Sequence, residues 1–340
     1  MKKMLSFTKN YLNYSIIALA AVIFSVLSVT GGLDMSTQLL LEKITISIIL
    51  AVSLSMVVGF LGELSLGHAG FMCVGAFVGG KLATLLTPSL GDGFLTLIIA
   101  LIVGSLTAAL FGIVIGLPAL RLRGDYLAIV TLAFGEIVRS VIMNVPDTIF
   151  GGTLGLKTPR FDRKYLLIVG FVLVLGCLAV TQNLLKSKHG RAITSIRDNE
   201  IAARAMGIDV TKYKLTVFTI SAFFAGLAGV LFSFSVNNVQ STSFDYNYSI
   251  EILVMVVLGG MGSINGSIVA ASLITFLTIT LQKYLTGDLA VLQNLLYALI
   301  LIVIVIYKNA PGLKYFREKY NFRAIFSKKK TKAVSEEKED

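Results

Sequence analysis

The chain has 340 residues, of which 55% are hydrophobic and 14% are charged, whereas soluble globular domains carry roughly 25% charged residues. This composition excludes an ordinary soluble domain and favours a protein that is surrounded by lipid. The formal net charge of +11 does not indicate a nucleic-acid partner, because Lys and Arg lie at the ends of apolar segments and in the C-terminal tail, where the topology signals of membrane proteins are found.

Long apolar segments that are free or nearly free of charged residues recur from the N-terminus to residue 307. Most match or exceed the roughly 20 residues needed to cross the hydrocarbon core of a bilayer, and they lack the polar face of a soluble helix. We therefore predict an all-α, polytopic membrane protein with about ten transmembrane helices. The predicted spans are 14–31, 43–62, 67–87, 94–117, 126–143, 165–183, 213–236, 250–263, 266–285 and 289–307.

The distribution of Lys and Arg between the spans predicts that the N- and C-termini are both cytoplasmic. The predicted organisation is a cytoplasmic N-terminal segment (1–13), a transmembrane domain (14–307) and a basic, mobile cytoplasmic tail (308–340). Loop 144–164 departs from this pattern, because its basic residues fall on the predicted outer side. Either a short extracytoplasmic element lies there, or one span is miscounted.

Two glycine-rich stretches lie at boundaries between apolar segments, one at 59–70 and one at 259–266. Glycine allows close contact between helices, and it also allows broken helices whose backbone faces a path through the membrane. The sequence leaves both alternatives open. The candidate pathway or gate residues in these stretches are Gly59, Gly62, Ser65, His68, Gly259, Gly260, Gly262 and Asn265.

Two opposite charges, Glu136 and Arg139, fall about halfway along the predicted span 126–143. Three residues apart on a helix, they share one face. A charge near the bilayer centre costs about 2.5–3.5 kcal/mol on insertion scales, so the two are expected to pair or to face a wet cavity. They either lock the helix bundle as an ion pair or lie beside a path or a moving gate.

Residues 186–214 form the longest charged loop between spans. Good helix formers without Pro or Gly predict one helix over Arg191–Met206, with Gly207 as its C-cap and a thin apolar stripe of Ile193, Ile196 and Ile201. The loop either only fixes topology or carries a docking helix for a cytoplasmic subunit. The candidate docking residues are Arg191, Arg197, Asp198, Glu200, Ala202, Ala203 and Gly207.

The sequence predicts no metal site and no cofactor. Cys73 and Cys177 lie within apolar segments, as small buried hydrophobic residues do, and His68 and His189 lack a neighbouring cluster of Cys or carboxylate ligands. A phosphate-binding loop of the form G-x-x-x-x-G-K-[ST] is also absent from the sequence. The residue pattern of an enzyme active site is therefore not found.

The run from Glu200 to Gly207 resembles the coupling loop of ABC-importer permeases, with Ile201 standing between the Glu and the Ala pair. Other stretches are similar to the LivM-type permease subunits of importers for branched-chain amino acids, a family of binding-protein-dependent transport permeases. The resemblance covers roughly residues 40 to 305. The stretches that carry it are Leu64–Phe71, Arg121–Arg139, Gly151–Leu156 and Val257–Ser263.

The resemblance implies a multi-pass permease of the bacterial cytoplasmic membrane that moves leucine, isoleucine or valine by alternating access. The implied partners are a second related permease, two cytoplasmic ATPase subunits that dock on the helices at 190–207, and an extracytoplasmic binding protein. Permeases for urea, or for sugars and nucleosides, remain alternatives within the same superfamily. An ion-coupled secondary transporter is the alternative from another class; it would act alone, and Glu136 is its main candidate for an acidic ion site.

Overall fold

The computed structural model describes residues 17–91, 93–122, 124–159 and 161–284, together with the single positions 299, 302 and 306. The chain divides into two compact units, residues 1–276 and 277–340. In the second unit, the described residues are 277–284 and the three single helical positions. The predicted segment 1–13, most of the predicted span 289–307 and the tail 308–340 lie outside the described residues.

Helices dominate the described part of the chain, and seven of them are long and apolar enough to cross a bilayer, namely α2 with its extension, α3, α4, α5, α7, α10 and α12. The predicted polytopic helical architecture is thereby confirmed. The helices are α1 (Ile17–Val29), α2 (Met35–Ser55), α3 (His68–Leu90), α4 (Phe94–Ala119), α5 (Asp125–Asn144), α6 (Asp147–Phe150), α7 (Arg163–Lys186), α8 (Lys188–Asp198), α9 (Glu200–Ala205), α10 (Val210–Val236), α11 (Tyr246–Gly259) and α12 (Ile264–Tyr284).

Helix α2 begins eight residues before the start of the predicted span 43–62. It therefore includes a charged residue that the prediction placed before the span. Glu42 is buried in α2, where its carboxylate accepts a hydrogen bond of 2.5 Å from Ser235 of α10. At its other end α2 continues as a π-helix, Met56–Leu61, and stops at Gly62, whose φ of +81° suits a residue without a Cβ. Residues 62–67 are non-helical before α3 begins.

The centre of the first unit is the packing of α10 against α3, α4 and α2. Small residues allow the helix backbones to approach closely, as in other membrane helix bundles. A Cβ added at Gly229 of α10 would collide with the carbonyl group of Met72 in α3. Fully buried aromatic side chains fill the remaining space, and the rings of Phe71 and Phe218 meet edge to face with centroids 5.5 Å apart.

A second apolar cluster joins α1, α2 and α7. Ala21, Leu41, Leu167 and Phe171 are buried together, and the ring of Phe24 stacks on that of Phe171. This cluster holds α7 against α2. Helix α8 begins after a single residue beyond the end of α7, so its start is positioned by the same packing.

The predicted loop 144–164 contains ordered structure. After α6 the chain forms a short 3-10 turn and then strand β1 (Leu156–Lys157), which pairs antiparallel with β2 (Asn238–Val239) after α10. This ladder of two residues per strand is a small addition to a fold that is predominantly helical, as predicted. It forms because the linkers after α5 and α10 satisfy part of their backbone by pairing with each other. The loop therefore contains a structured element, and its extracytoplasmic side stays a prediction.

Helix α11 has 14 residues and starts four residues before the predicted span 250–263. Asp245 caps its first turn by accepting a hydrogen bond of 3.0 Å from the backbone N–H of Tyr248. The preceding 3-10 turn, Ser241–Phe244, is anchored by the buried side chain of Phe244. Four residues, 260–263, connect α11 to α12.

Candidate functional site

The charged segment after α7 folds into two helices, α8 and α9, and not into the single helix predicted over Arg191–Met206. Asn199 interrupts the helix with an extended backbone (φ −159°, ψ 103°). Its side-chain oxygen accepts a hydrogen bond of 3.0 Å from the N–H of Ala202. Asparagine is among the preferred residues at a helix N-cap, and this cap starts α9 at Glu200.

The predicted helix end at Gly207 is confirmed. Gly207 has a φ of +82°, its N–H bonds to the carbonyl of Arg204 at 3.1 Å, and the N–H of Ile208 bonds to the carbonyl of Ala203 at the same distance. This pair of bonds is the Schellman arrangement that closes helix C-termini. It turns the chain directly into α10.

The two short helices bury one face and expose another. Ile193 and Ile196 of α8 are buried, whereas Ile201 of α9 is 75% exposed and the neighbouring Met206 is 83% exposed. The predicted apolar stripe is therefore split, because the break at Asn199 rotates Ile201 away from its two predecessors. The exposed face of α9 also carries Ala202, so an exposed apolar surface with a small side chain results.

A buried lysine connects α9 to the linker between α2 and α3. Lys214 of α10 is 3% exposed. Its ammonium group forms ion pairs with the carboxylates of Glu63 and Glu200, at 3.2 Å in the case of Glu200. The other carboxylate oxygen of Glu200 accepts a bond of 2.9 Å from Arg204. Positive and negative groups therefore alternate along this chain of four side chains.

A second connection runs from α8 to the π-helical end of α2. The guanidinium of Arg197 donates a hydrogen bond of 3.3 Å to the carbonyl oxygen of Gly59 and pairs with Asp198 at 2.9 Å. A Cβ added at Gly62 would lie 2.7 Å from Cγ of Arg197. Candidate residues that the sequence assigned to two different sites are thus brought into one place.

The second glycine stretch meets the first at the same place. A Cβ at Gly59 would lie 2.5 Å from the backbone nitrogen of Gly262. Gly260 and Gly262 have φ values of +97° and +80° and form the turn between α11 and α12. A Cβ at Gly259 would collide with the backbone of α12 at Ser267. These glycines serve close packing and a tight turn at once.

A cavity of about 310 Å³ borders this junction, a volume at the lower end of the range for small-molecule sites. Phe60 of the π-helix, Gln182 of α7, Gly262 and Asn265 contribute to its wall. Asn265 is therefore placed beside Gly262, as a polar group at the edge of the glycine turn.

Ser65 of the α2–α3 linker and His68, the first residue of α3, are both buried. The His68 ring nitrogen Nε2 is 2.8 Å from the Ser53 hydroxyl, within hydrogen-bond distance. Ser65 is 1% exposed, and its hydroxyl has no hydrogen-bond partner among the described residues. The linker and the first turn of α3 each bond to another helix. The N–H of Leu66 bonds to the Thr131 hydroxyl at 3.0 Å, and that of Ala69 to the Ser249 hydroxyl at 3.1 Å.

Glu136 and Arg139 form an ion pair of 2.7 Å on α5, and their side chains are 29% and 28% exposed. The pair belongs to a different helix from the glycine junction. One of the alternatives left open by the sequence, direct pairing, is therefore realised in the structure. The partial exposure of both charges means that this edge of α5 is not sealed by the described part of the chain.

Two residues of this arrangement, Glu63 and Lys214, escaped the sequence reasoning, as did Glu42, which lies apart from it beside Ser235. Each stands at or inside the end of an apolar segment, where a lone charge looks like a boundary marker. The available signal was that Glu63 and Lys214 have opposite charges on segments assigned to the same side of the membrane. Their distance of 151 positions in sequence left the partner undetermined.

Metal-binding groups of three or more His, Cys, Asp and Glu side chains are not found among the described residues. Cys73 and Cys177 are free thiols, and both are buried. Burial within helix packing is the role that their apolar sequence context predicts.

The fold and the site together define a polytopic helical membrane protein that carries a charged two-helix segment fastened to the ends of its long helices. Residues 36–306 match the family described as the permease component of branched-chain amino acid transport systems. The chain belongs to this family of transport permeases. It is accordingly a multi-pass protein of the cytoplasmic membrane.

Curated relatives support the same assignment. The chain is 40% identical over 275 residues to the high-affinity branched-chain amino acid transport system permease proteins LivM of Salmonella typhimurium and Escherichia coli; the match covers 72% of this chain and 62% of each relative. It is also 27% identical to the ribose import permease protein RbsC of Haemophilus influenzae, over 81% of this chain and 85% of that protein. The chain thus spans less than two thirds of the length of the two LivM relatives. No solved structure matches the chain.

Proposed function

We propose that this chain is the permease subunit of an ATP-binding-cassette importer that moves branched-chain amino acids into the cell. Separate ATPase subunits would drive the permease between outward-facing and inward-facing states, each of which the partners stabilise differently. Family membership over residues 36–306 and the substrates for which the LivM relatives are named support the substrate class.

The observation that carries the proposal is the apolar surface of α9. Ile201 and Met206 are 75% and 83% exposed, yet they belong to a charged segment between long spans, where water or headgroups and not hydrocarbon would surround them. Exposed apolar groups on such a segment favour a protein partner. The small side chains of Ala202 and Ala205 would let the partner's backbone come close, and Arg191 would add charge at the rim.

The proposed topology has ten crossings with both termini in the cytoplasm, so that α8 and α9 face the ATPases. The transmembrane permease domain would be residues 14–307, with its coupling loop at 186–214, between the N-terminal segment 1–13 and the basic tail 308–340. The predominance of Lys and Arg on the side of α8 and α9 supports this orientation. The ladder of β1 and β2 would then lie on the outer side.

The proposed assembly contains a second related permease, two ATPase subunits and an extracytoplasmic binding protein that delivers the substrate. The edge of α5 with Glu136 and Arg139 supports a neighbour or a wet path on that side, because a partly exposed ion pair facing lipid would be costly. We assign the glycine junction of Gly59, Gly62 and Gly262 to the gate on the cytoplasmic side.

Uptake into reconstituted liposomes tests the substrate class. Purified complex with ATPases and binding protein is expected to accumulate labelled leucine only when ATP is present on the ATPase side. Labelled ribose is the main comparison, because the RbsC relative covers most of the chain, and urea is the second. Uptake of ribose or urea without leucine would overturn the substrate assignment, and ATP-independent uptake would favour an ion-coupled secondary transporter.

Co-purification tests the docking surface. Met206→Asp places a charge in the proposed contact and is expected to reduce the recovery of ATPase subunits by about tenfold, which corresponds to roughly 1.4 kcal/mol. Lys212→Asp is the matched control, since Lys212 is exposed nearby but belongs to α10. Equal recovery with both variants would remove the docking role from α9.

A further inference from the structure

Lys214 is the most deeply buried cation with two anionic partners in the described part of the chain. It lies in α10, close to the helix start at Val210, and is 3% exposed. Its two partners come from separate segments: Glu63 from the α2–α3 linker and Glu200 from the first position of α9. A buried ammonium group is stable only when its charge is compensated, and here the compensation requires both segments to stay in place.

The two partners of Lys214 sit at mechanically distinct positions. Glu200 belongs to the proposed docking helix, which is held in register by the Asn199 cap and the Gly207 turn. Glu63 directly follows Gly62, at which the π-helical end of α2 stops. Single-turn π-helices are strained variants of the α-helix and are frequent at functional sites. Lys214 therefore joins a surface for a partner to an irregular helix end in the bundle.

A second, independent contact joins the same two regions. Arg197 of α8 donates its hydrogen bond to the carbonyl of Gly59, within the π-helix. A Cβ at Gly59 would collide with the turn between α11 and α12 at Gly262. A displacement of α8 and α9 therefore cannot leave the end of α2 unchanged, because two contacts connect them. The end of α2 also packs against the turn between α11 and α12.

We infer that Lys214 and Glu63 are positioning residues that transmit the movement of α9 to the π-helical end of α2, and that this helix end is the receiver of the coupling motion. The inference rests on the proposed function, because it needs an ATPase that moves α9. The ion pairs of Lys214 with Glu63 and Glu200 transmit the movement. When α9 is pulled or tilted, Glu200 moves, and the ammonium group of Lys214 passes the displacement to the linker before α3.

An ion-pair cluster that transmits movement differs from a purely structural one in the properties that change when it is removed. If the cluster only stabilised the fold, its removal would lower the yield and thermal stability and would reduce ATP hydrolysis and uptake together. If the cluster transmits movement, the assembled complex still binds its ATPases and hydrolyses ATP, whereas the amount of substrate moved per ATP falls. The ratio of uptake to hydrolysis is therefore the decisive measurement.

The test uses the complete importer in liposomes, with labelled leucine and a parallel measurement of phosphate release. Lys214→Met removes the charge and keeps the length of the side chain, Glu63→Gln keeps the shape and removes the charge, and Lys214→Arg keeps the charge. Lys212→Met, an exposed lysine two positions earlier on the same helix, is the control. We expect Lys214→Met and Glu63→Gln to lower leucine uptake per ATP by about tenfold, Lys214→Arg to restore most of it, and Lys212→Met to leave it unchanged.

Each other outcome has a defined meaning. Suppose that the wild-type complex binds ATPases and imports leucine, and that the Lys214→Met complex has the same uptake per ATP. This result overturns the inference and leaves the proposed function intact. A wild-type complex without ATPase binding or ATP-dependent uptake overturns the proposed function, and the inference with it. If Lys214→Met, Lys214→Arg and Glu63→Gln all fail to yield monodisperse protein, the cluster is structural and the inference is wrong.

Discussion

The guanidinium of Arg197 lies 3.3 Å from the carbonyl oxygen of Gly59, to which it donates a hydrogen bond across 138 positions of sequence. Arg197 was predicted as a docking residue and Gly59 as a pathway or gate residue. Their contact means that the charged segment and the irregular end of α2 form one structural unit. A role of Arg197 in holding that helix end follows, in addition to any contact with a partner.

Replacement of Arg197 is expected to loosen the end of α2. Arg197→Ala removes the donor to Gly59, so the backbone amides of residues 59–67 are expected to exchange hydrogen faster, because local opening of the linker becomes easier. Arg191→Ala is the control, as Arg191 is exposed on the same helix. Hydrogen exchange followed by mass spectrometry gives the answer, and equal exchange in both variants would contradict a holding role.

The crossing of α10 and α3 is expected to tolerate no added methyl group at Gly229. A Cβ there would meet the carbonyl of Met72, and overpacking of this kind costs about 1–3 kcal/mol. Gly176 of α7 has nothing within 4 Å of its ideal Cβ position, so Gly176→Ala is expected to be neutral or slightly stabilising. Thermal unfolding in detergent should therefore show a lower Tm for Gly229→Ala only. A Tm unchanged in Gly229→Ala would contradict the close packing.

A double variant distinguishes the two alternative roles of the ion pair on α5. Glu136→Gln alone leaves Arg139 without its charged partner, and an unpaired charge within a membrane span is costly in either case. The double variant Glu136→Gln with Arg139→Gln carries no net charge. A lock of the bundle is expected to recover with the double variant, whereas a pathway role leaves uptake impaired at normal assembly. We expect the second result, because both charges are partly exposed at this edge of α5, and full recovery of uptake would contradict it.

The hydrogen bond between Ser235 and Glu42 is expected to stabilise the contact of α10 with α2. Both residues are buried, and the second carboxylate oxygen of Glu42 has no hydrogen-bond partner among the described residues. Ser235→Ala leaves the carboxylate with one bond fewer, which is expected to cost about 1–3 kcal/mol. The comparison of Tm with Ser243→Ala, an exposed serine on the following 3-10 turn, measures the effect. An equal Tm in the two variants would mean that the bond contributes little.

Local signals allowed much of the helical structure to be predicted. Uncharged stretches predicted the long helices, and Gly207 predicted a helix end. Both predictions succeeded because these features depend on residues that are close in sequence. The start of α2 was misplaced, since the burial of Glu42 depends on Ser235, 193 positions away. The break at Asn199 carried a local signal, an Asn followed by Glu, which the good helix formers on both sides obscured.

The candidate site was predicted in its parts and not in its assembly. The glycines and the charged segment were identified from their residue types, whereas the contacts of Arg197 with Gly59 and of Lys214 with Glu63 join segments more than one hundred positions apart. Such contacts depend on the packing of α10 against α2 and α3, which composition and periodicity do not specify. A lone charge at the end of an apolar segment is equally consistent with a topology signal and with a buried partner.

Thiol labelling at Met206 tests the central claim most directly, because it reports both the side of the membrane and the docking of α9. The native Cys73 and Cys177 are buried, so Met206→Cys adds an accessible thiol on the exposed face. A membrane-impermeant maleimide is expected to label this variant in inverted vesicles, to leave it unlabelled in right-side-out vesicles, and to lose access when ATPase subunits are bound. Labelling from the outside of right-side-out vesicles would contradict the account.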